Sequence, residues 1–266
     1  MSFASATAVD RVGPTTWRGE VEPDWDIFGI ANGGYLMSLA ARAMSESAEG
    51  RFPVSVTAHF TKPVAAGPVM VEVTPMKSGR SFSTLRAEMV ALDGSKLVSL
   101  IGSFADPGRT IPDVYLSSTQ PPDLPPPEEC VLAVPGKDRP FPPPLMKQFE
   151  ERIHPDDTGP LEGKPNGNAV MRGWFRLFDG ERADPFLPLL VADAFPPAIF
   201  NANLPLGWTP TVELTTHVRS VPDAGWLACQ FRTRFISGGM LEEDGEIWNA
   251  DGQLVAQSRQ LALVPR

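Results

Sequence analysis

Histidine and cysteine are scarce in this chain of 266 residues, which has three of the first and two of the second. Zinc modules rich in cysteine and folds stabilised by disulfides need clusters of these residues, so both classes are excluded. Cys130 and Cys229 are far apart, and neither belongs to a CxxC pair. We therefore expect two reduced, buried thiols and a cytoplasmic protein.

Positive charge and long apolar runs are also lacking. The formal net charge is −9 and no cluster of Lys and Arg occurs, which argues against nucleic acid as a partner. No run of about 18 apolar residues is present, so we expect no membrane-spanning helix. The first residues, MSFASATAVDRVG, have neither the basic nor the apolar segment of a secretory signal. Together these features predict a soluble, intracellular globular protein.

The common catalytic motifs are missing as well. The chain has no GxSxG, no GxxxxGKS/T and no GxGxxG, which argues against a serine-hydrolase elbow, a phosphate loop and a dinucleotide loop. The three histidines, His59, His154 and His217, are too scattered to predict a metal site. Because His59 and His217 occupy equivalent places in an internal repeat, we interpret both as structural.

Proline, in contrast, is abundant, with 29 residues. Dense clusters occur at Pro121–Pro127 (PPDLPPP) and Pro140–Pro144 (PFPPP). Proline lacks a backbone N–H and fixes φ, so no central strand or helix interior can cross these clusters. We predict a proline-rich connector over residues 106–145, between an N-terminal unit at 1–105 and a C-terminal unit at 146–266. The short runs CVLAV and QFEERI, within and just after the connector, are candidates for strands.

The two units resemble each other at a constant offset of 158 residues. VSVTAHFTKP (residues 54–63) aligns with VELTTHVRSVP (212–222), and EMVALDGSKLVS (88–99) aligns with EIWNADGQLVAQ (246–257). No gap is needed between these two matches. We infer a duplicated unit of roughly 120 residues, present twice.

Each unit shows the same order of elements, a helix followed by four strands. The apolar spacing predicts one helix over Gly33–Ser47 and another over Pro185–Phe195, with Asp184 as the N-cap of the second and Pro185 at its first position. Asp-Gly pairs at 93–94 and 251–252 predict tight hairpins. Because strands and helices do not alternate, the pattern predicts an α+β fold in which an antiparallel sheet wraps around the helix. The predicted strands are 54–60, 69–76, 84–92 and 97–104, then 212–219, 226–236, 241–249 and 254–264, with early candidates at 17–21 and 171–177.

The segments around the first helix and the last strand resemble a known family. WDIFGIANGGYLMSLAARAM, the KP pair after the first long strand and the ending DGQLVAQSRQ are similar to acyl-CoA thioesterase II-like proteins. The resemblance runs from Trp17 to Val264, apart from the connector. It implies a double hotdog fold, hydrolysis of fatty acyl-CoA, one active site per chain and assembly into a homo-oligomer, a dimer or a tetramer. We expect no metal and no cofactor.

The resemblance also implies which residues form the site. In that family an Asp on the second helix, a Thr on the following strand and a Gln on the last strand hold the attacking water. These roles correspond to Asp193 in LLVADAF, Thr211 in TPTVELTTH and Gln260 in DGQLVAQSRQ. Three neighbouring threonines stay open as alternatives to Thr211: Thr209, Thr215 and Thr216.

The internal repeat gives a separate argument for one site per chain. At the offset of the repeat, the first-unit counterparts of the three site residues are Tyr35, Pro53 and Gly102. The first unit therefore lacks all three polar groups. Duplication followed by loss in one copy would leave a single site.

The chemistry of a thioester suits these residues. A thioester is already activated toward water, so no side-chain nucleophile is required. A carboxylate at Asp193 can accept the proton of the water, and an apolar helix around it would raise its pKa, while Thr and Gln can fix the position of the water. The thioester oxygen needs hydrogen-bond donors, which the helix start at Asn32, Gly33 and Gly34 can supply from its backbone. We predict that these three residues line the acyl or thioester pocket.

Each candidate also has a purely structural explanation. Asp193 can cap the turn before Phe195, Thr211 can be an ordinary residue at a strand edge, Gln260 can be solvated, and the glycines can serve close packing alone. Two other functions also stay open for the whole chain. A hotdog hydratase or dehydratase would pair a catalytic His with an Asp or Glu, which the low His content argues against. A non-catalytic acyl-binding protein would keep only the fold.

Overall fold

The computed structural model of the chain describes residues 1–106, 116–134, 143–178 and 184–265. Within these residues the helices are α1 (Phe3–Ala6), α2 (Gly33–Ser47) and α3 (Leu187–Val191). The strands of the N-terminal half are β1 (Val9–Arg11), β2 (Thr16–Val21), β3 (Asp26–Ile27), β4 (Ile30–Ala31), β5 (Phe52–Phe60), β6 (Gly67–Ser78), β7 (Phe82–Ala91) and β8 (Lys96–Ala105). Those that follow are β9 (Val131–Leu132), β10 (Phe149–Ile153), β11 (Val170–Leu177), β12 (Thr211–Val218), β13 (Leu227–Arg232), β14 (Ile236–Ser237), β15 (Met240–Trp248) and β16 (Leu254–Leu263).

One large antiparallel sheet runs through both halves of the molecule. Its strand order is β1-β2-β6-β7-β8-β5-β12-β16-β15-β13-β11-β10-β9, with β14 paired to β15, and β3 and β4 form a separate small hairpin. Helix α2 packs against β5, β6, β7 and β8 and against α3, so the helices share one face of the sheet. We call this the inner face and the opposite one the outer face. The predicted α+β class is confirmed.

The strand pairing confirms the repeat. Strands β5, β6, β7 and β8 recur as β12, β13, β15 and β16 at the offset read from the sequence. The halves meet where β5 pairs with β12, and Thr57 lies directly opposite Thr215. The two hydroxyl oxygens of this pair are 2.9 Å apart, across 158 residues of sequence. The two copies are therefore related by an approximate twofold axis through this pair.

Both Asp-Gly hairpins form as predicted. Gly94 and Gly252 have φ values of +82° and +74°, a conformation that glycine adopts without strain. They join β7 to β8 and β15 to β16. At the first turn Asp93 accepts a hydrogen bond from the N–H of Ser95 at 2.9 Å, which fixes the register of the strands on either side.

The second predicted helix is wrong in its length. It was expected over Pro185–Phe195, but α3 covers only Leu187–Val191. Proline is tolerated only in the first turn of a helix. In a helix beginning at Pro185, residue 188 would have to donate its backbone N–H within the helix, and a proline has no N–H to donate. Asp184 is not the N-cap; instead it accepts a hydrogen bond from the N–H of Phe186 at 2.8 Å.

The predicted strand over 226–236 is interrupted. It divides into β13 and the short β14, because Glu242 takes hydrogen bonds from the backbone between them. Its carboxylate accepts the N–H groups of Arg234 at 3.2 Å and of Phe235 at 2.9 Å. The chain therefore bends away from the ladder after Arg232.

The described part of the proline-rich stretch lies at the sheet edge. Residues 121–126 have neither helix nor strand, and β9, which follows, pairs with β10 at the end of the sheet. Residues 107–115 and 135–142, with much of the second proline cluster, lie outside the described residues. Among the residues that are described, no helix is long and apolar enough to span a membrane.

Candidate active site

A cavity of about 870 Å³ lies between the helices and the inner face of the C-terminal half of the sheet. Most of its wall is apolar, with Leu36, Phe60, Val64 and Phe231 among the lining side chains. The size and character of this wall are typical of small-molecule sites. At its opening, exposed apolar side chains reach solvent: Phe28, Leu206 and Trp208.

Asp193 enters this cavity from the turn that follows α3. It was expected on the helix itself, but α3 ends at Val191. One carboxylate oxygen, Oδ2, accepts hydrogen bonds from Asn32 Nδ2 at 2.9 Å and from the N–H of Gly34 at 3.1 Å. Burial in the apolar wall raises the pKa of Asp193 to about 6, and the hydrogen bonds from the start of α2 limit the rise.

Asn32 joins this carboxylate to the helix start. Its side-chain oxygen accepts a hydrogen bond from the N–H of Tyr35 at 2.9 Å, so it is the N-cap of α2. Its side-chain nitrogen donates to the backbone oxygen of Asp193 at 2.6 Å as well as to the carboxylate. An amide is suited to this place because it carries an acceptor and a donor at once.

The two glycines permit a very close approach of the helices. A Cβ at Gly34 would lie 2.5 Å from the backbone oxygen of Leu189, and one at Gly33 would lie 2.8 Å from the ring of Phe60. Gly33 lines the cavity, whereas Gly34 lies behind the carboxylate of Asp193. The sequence predicted that the N–H groups here serve the thioester oxygen; the N–H of Gly34 instead binds Asp193.

Thr211 and Gln260 reach the same cavity from the sheet. Gln260 lies on the inner face of β16, and its Nε2 donates a hydrogen bond to the hydroxyl of Thr211. A β-bulge at Val212 makes this contact possible, because the register shifts between Thr211 and Glu213. Without the bulge, strand alternation would turn Thr211 to the outer face.

The other threonines considered for this role differ in position. Thr209 also lines the cavity. Thr215 lies on the outer face, bonded to Thr57. Thr216 faces inward and is completely buried, but it is not part of the cavity wall. Among the described threonines, Thr211 is the one that forms a hydrogen bond with Gln260.

The first copy of the repeat has the same β-bulge, but apolar side chains occupy the space that corresponds to the site. The register of β5 shifts between Pro53 and Ser55 as that of β12 does at the equivalent place. A Cβ at Gly102, the counterpart of Gln260, would lie 2.9 Å from the ring of Phe104 and 3.2 Å from the end of Met44. Tyr35 is fully buried, and its hydroxyl donates to the backbone oxygen of Ala6 at 2.8 Å. The first copy therefore has no counterpart of the polar cluster that Asp193, Thr211 and Gln260 form in the second copy.

A second carboxyl in the cavity was missed at the sequence level. Glu243 lies on the inner face of β15, only 7% exposed, and lines the cavity. It accepts a hydrogen bond from the N–H of Ala198 at 2.6 Å. Burial, with a smaller contribution from the charge of Asp193, raises the pKa of Glu243 to about 8. The sequence did contain a signal for this carboxyl, because Glu243 is an acidic residue at an inward position of an alternating strand.

The histidines lie elsewhere. His59 and His217 are exposed on the outer face of the sheet, and His154 accepts a hydrogen bond from the N–H of Asp156 at 3.1 Å. Within the described ranges, no group of three or more His, Cys, Asp or Glu residues is placed to bind a metal ion.

Comparison with known proteins identifies the family and the fold. Two family profiles match the chain, the acyl-CoA thioesterase N-terminal domain at residues 21–105 and the acyl-CoA thioesterase C-terminal domain at residues 126–264. A solved structure from Thermobifida fusca, whose suggested name is thioesterase II, is 30% identical with a TM-score of 0.87, and the match covers 99% of this chain and 97% of that one.

Two further relatives extend the comparison. A protein of unknown function with a hot dog fold from Alicyclobacillus acidocaldarius has a TM-score of 0.84 at 23% identity, over 98% of this chain and 97% of that one. An uncharacterized protein of Mycobacterium tuberculosis is 28% identical, over 94% of this chain and 91% of its own length. The predicted double hotdog fold is confirmed, and because the two thioesterase domains match most of its length, the chain belongs to the acyl-CoA thioesterase family and is a thioester hydrolase.

Proposed function

We propose that the chain hydrolyses fatty acyl-CoA to the free acid and CoA, with a water molecule held by Asp193, Thr211 and Gln260. The observation that carries this proposal is that the three polar groups line one largely apolar cavity of about 870 Å³. An apolar wall suits an acyl chain, and polar groups at one place in it suit a reacting carbonyl.

Asp193 acts as the general base. As the water oxygen bonds to the thioester carbon, a proton passes from the water to the carboxylate, and the carbonyl π electrons move onto the oxygen. When these electrons return, the carbon–sulfur bond breaks and its electron pair leaves with the thiolate. A base with a pKa of about 6 is ionised at neutral pH but still accepts a proton readily.

The start of α2 keeps this base in place. The bonds from Asn32 and from the N–H of Gly34 both go to Oδ2, and we assign the other oxygen, Oδ1, to the water. The positive end of a helix dipole also favours a carboxylate here. Thr211 and Gln260, bonded to each other, are on the sheet side and complete the contacts of the water.

The other functions considered fit the cavity less well. A hydratase or dehydratase with a catalytic His has no support from the described histidines, two of which are exposed on the outer face. A passive acyl-binding cavity gains nothing from two buried carboxyls, since burial of such groups costs free energy.

A hydrolysis assay across acyl chain lengths tests the proposal. The purified chain is incubated with acyl-CoA substrates from short to long, and free thiol is measured. We expect turnover that depends on chain length, because the cavity has a fixed volume. Tight binding of acyl-CoA without release of thiol at any length would support the acyl-binding alternative instead.

The pKa of Asp193 predicts an acid limb in the rate profile. Below pH about 6 the carboxylate is protonated and cannot act as a base, so kcat/KM is expected to fall about tenfold per pH unit there. Initial rates between pH 4.5 and 7.5 measure this. A midpoint near 4, the value of an exposed aspartate, would contradict the assignment.

Replacement of Thr211 by Val is expected to lower kcat by roughly 10- to 100-fold, because the water loses one hydrogen-bond partner. Thr215→Val is the matched control, since it makes the same change on the same strand but on the outer face. Steady-state kinetics of the two variants measure the difference. Equal rates for Thr211→Val and the unaltered chain would remove Thr211 from the mechanism.

We also propose a homo-oligomer, a dimer or a tetramer, in the cytoplasm. Exposed apolar side chains on the outer face, Ile101 and Leu261, support contact with a second copy. The free, buried thiols of Cys130 and Cys229 suit a reducing compartment. Light scattering after size exclusion tests the assembly; a mass of one chain would contradict it.

A further inference from the structure

Hydrolysis of a thioester creates a negative charge on the carbonyl oxygen, and that charge needs a hydrogen-bond donor. The donors nearest to Asp193 are engaged. Asn32 Nδ2 and the N–H of Gly34 bind the carboxylate, and Gln260 Nε2 binds Thr211. A further donor in the same cavity would complete the site.

The position of Glu243 in the cavity suits such a donor. It lies opposite Gln260 in the pairing of β15 with β16, and Gln260 in turn lies opposite Leu214 on β12. Side chains that face each other on adjacent strands are about 5 Å apart at Cβ. Gln260 is hydrogen-bonded to Thr211, so Thr211, Gln260 and Glu243 lie on three adjacent strands, and all three line the cavity that Asp193 enters.

The surroundings of Glu243 keep a proton on it. The charged groups that act on it are both acidic, Asp193 from the turn after α3 and Glu242 from its own strand. Two of its polar neighbours are uncharged, the side chain of Gln260 on β16 and the N–H of Ala198. With a pKa of about 8, the carboxyl is neutral at pH 7. Oε2 accepts the N–H of Ala198 at 2.6 Å, which makes Oε1 the oxygen that is available to carry the proton.

The repeat shows that the fold does not require an acid at this position. At the offset of 158 residues, the counterpart of Glu243 is Leu85, which is 1% exposed on β7. The acid therefore occurs in the same copy as Asp193, Thr211 and Gln260, and the corresponding place in the other copy is apolar. The acid thus occurs together with the site residues, and the fold itself does not need it.

We propose that Glu243 is a further catalytic residue, whose neutral carboxyl donates a hydrogen bond to the thioester carbonyl oxygen as negative charge develops there. This inference rests on the proposed thioester hydrolysis. No proton is transferred by Glu243; the O–H remains intact while water attacks and the thiolate leaves. A neutral acid in an apolar site is a known kind of donor for such an oxygen.

Two variants of the full chain test the proposal by their rates and pH profiles. Glu243→Leu introduces the residue of the first copy and removes the donor, so kcat is expected to fall about 10²- to 10³-fold. Glu243→Gln keeps an acceptor for Ala198 and offers an N–H donor, so it is expected to stay within about tenfold of the unaltered chain.

The alkaline side of the profile separates a donor from a structural residue. The unaltered chain should lose activity above pH about 8, as Glu243 ionises, and Glu243→Gln should not. Unchanged kcat in a folded Glu243→Leu, or an alkaline loss that persists in Glu243→Gln, would overturn this inference alone. Absence of hydrolysis by the unaltered chain would overturn the proposed function and this inference with it.

Discussion

Asp193→Asn is expected to lower kcat/KM for acyl-CoA by about 10²- to 10⁴-fold, the usual contribution of a general base. An amide cannot take the proton of the attacking water. It does keep the size of the carboxyl and an oxygen that can accept the N–H of Gly34, now 3.1 Å from Oδ2. Steady-state kinetics with one acyl-CoA at pH 7.5 measure the loss.

Stability and a matched variant control this result. Removal of a charge that burial disfavours should leave the unfolding midpoint of Asp193→Asn at or above that of the unaltered chain. Asp244→Asn makes the same change on the outer side of β15, where the carboxylate pairs with Arg259 at 2.6 Å, and should retain activity. Full activity in Asp193→Asn would show that some other group activates the water.

Gly34→Ala is expected to destabilise the fold by about 1–3 kcal/mol, the usual cost of an overpacked core. The new methyl would lie 2.5 Å from the backbone oxygen of Leu189 and 3.0 Å from Cβ of Asp193. Backbone atoms cannot turn aside as a flexible side chain can, so the two helices must separate. Thermal and urea unfolding measure the change in stability.

The same substitution should also reduce activity in protein that is still folded. Separation of the helices moves the N–H of Gly34 away from the carboxylate it holds, so we expect a fall in kcat at a temperature well below the unfolding midpoint. Gly13→Ala is the control, because a Cβ there would meet its neighbours at 3.4 Å, an ordinary contact. If Gly34→Ala matches that control in both measurements, the close approach of the helices is not needed.

The sequence predicted the elements whose signals are local. The helical spacing of the apolar residues predicted α2 at the residues where it is found, Gly33–Ser47. The Asp-Gly pairs located two hairpins, and the constant offset located the four paired strands. The second helix was placed wrongly because a proline at 188 was treated as an ordinary helical residue, whereas α3 had to begin next to it.

The candidate site could be predicted less fully. The resemblance identified Asp193, Thr211 and Gln260, but strand alternation alone would have placed Thr211 with Thr215 on the outer face. Only the bulge at Val212 brings it inside, and a bulge has no reliable sequence signal. Glu243 was missed because an acid in an alternating strand is usually interpreted as solvent-exposed, and its burial depends on the packing of the 3₁₀ turn that begins at Ala198.

Single-turnover hydrolysis in water labelled with ¹⁸O tests the central claim most directly, that Asp193 activates water and does not attack the thioester itself. With enzyme in excess over acyl-CoA, the account predicts one ¹⁸O atom in the released acid, none in the Asp193 peptide, and no acylated peptide after an acid quench. Unlabelled acid together with ¹⁸O in the Asp193 peptide would show that the carboxylate is the nucleophile, and would contradict the account.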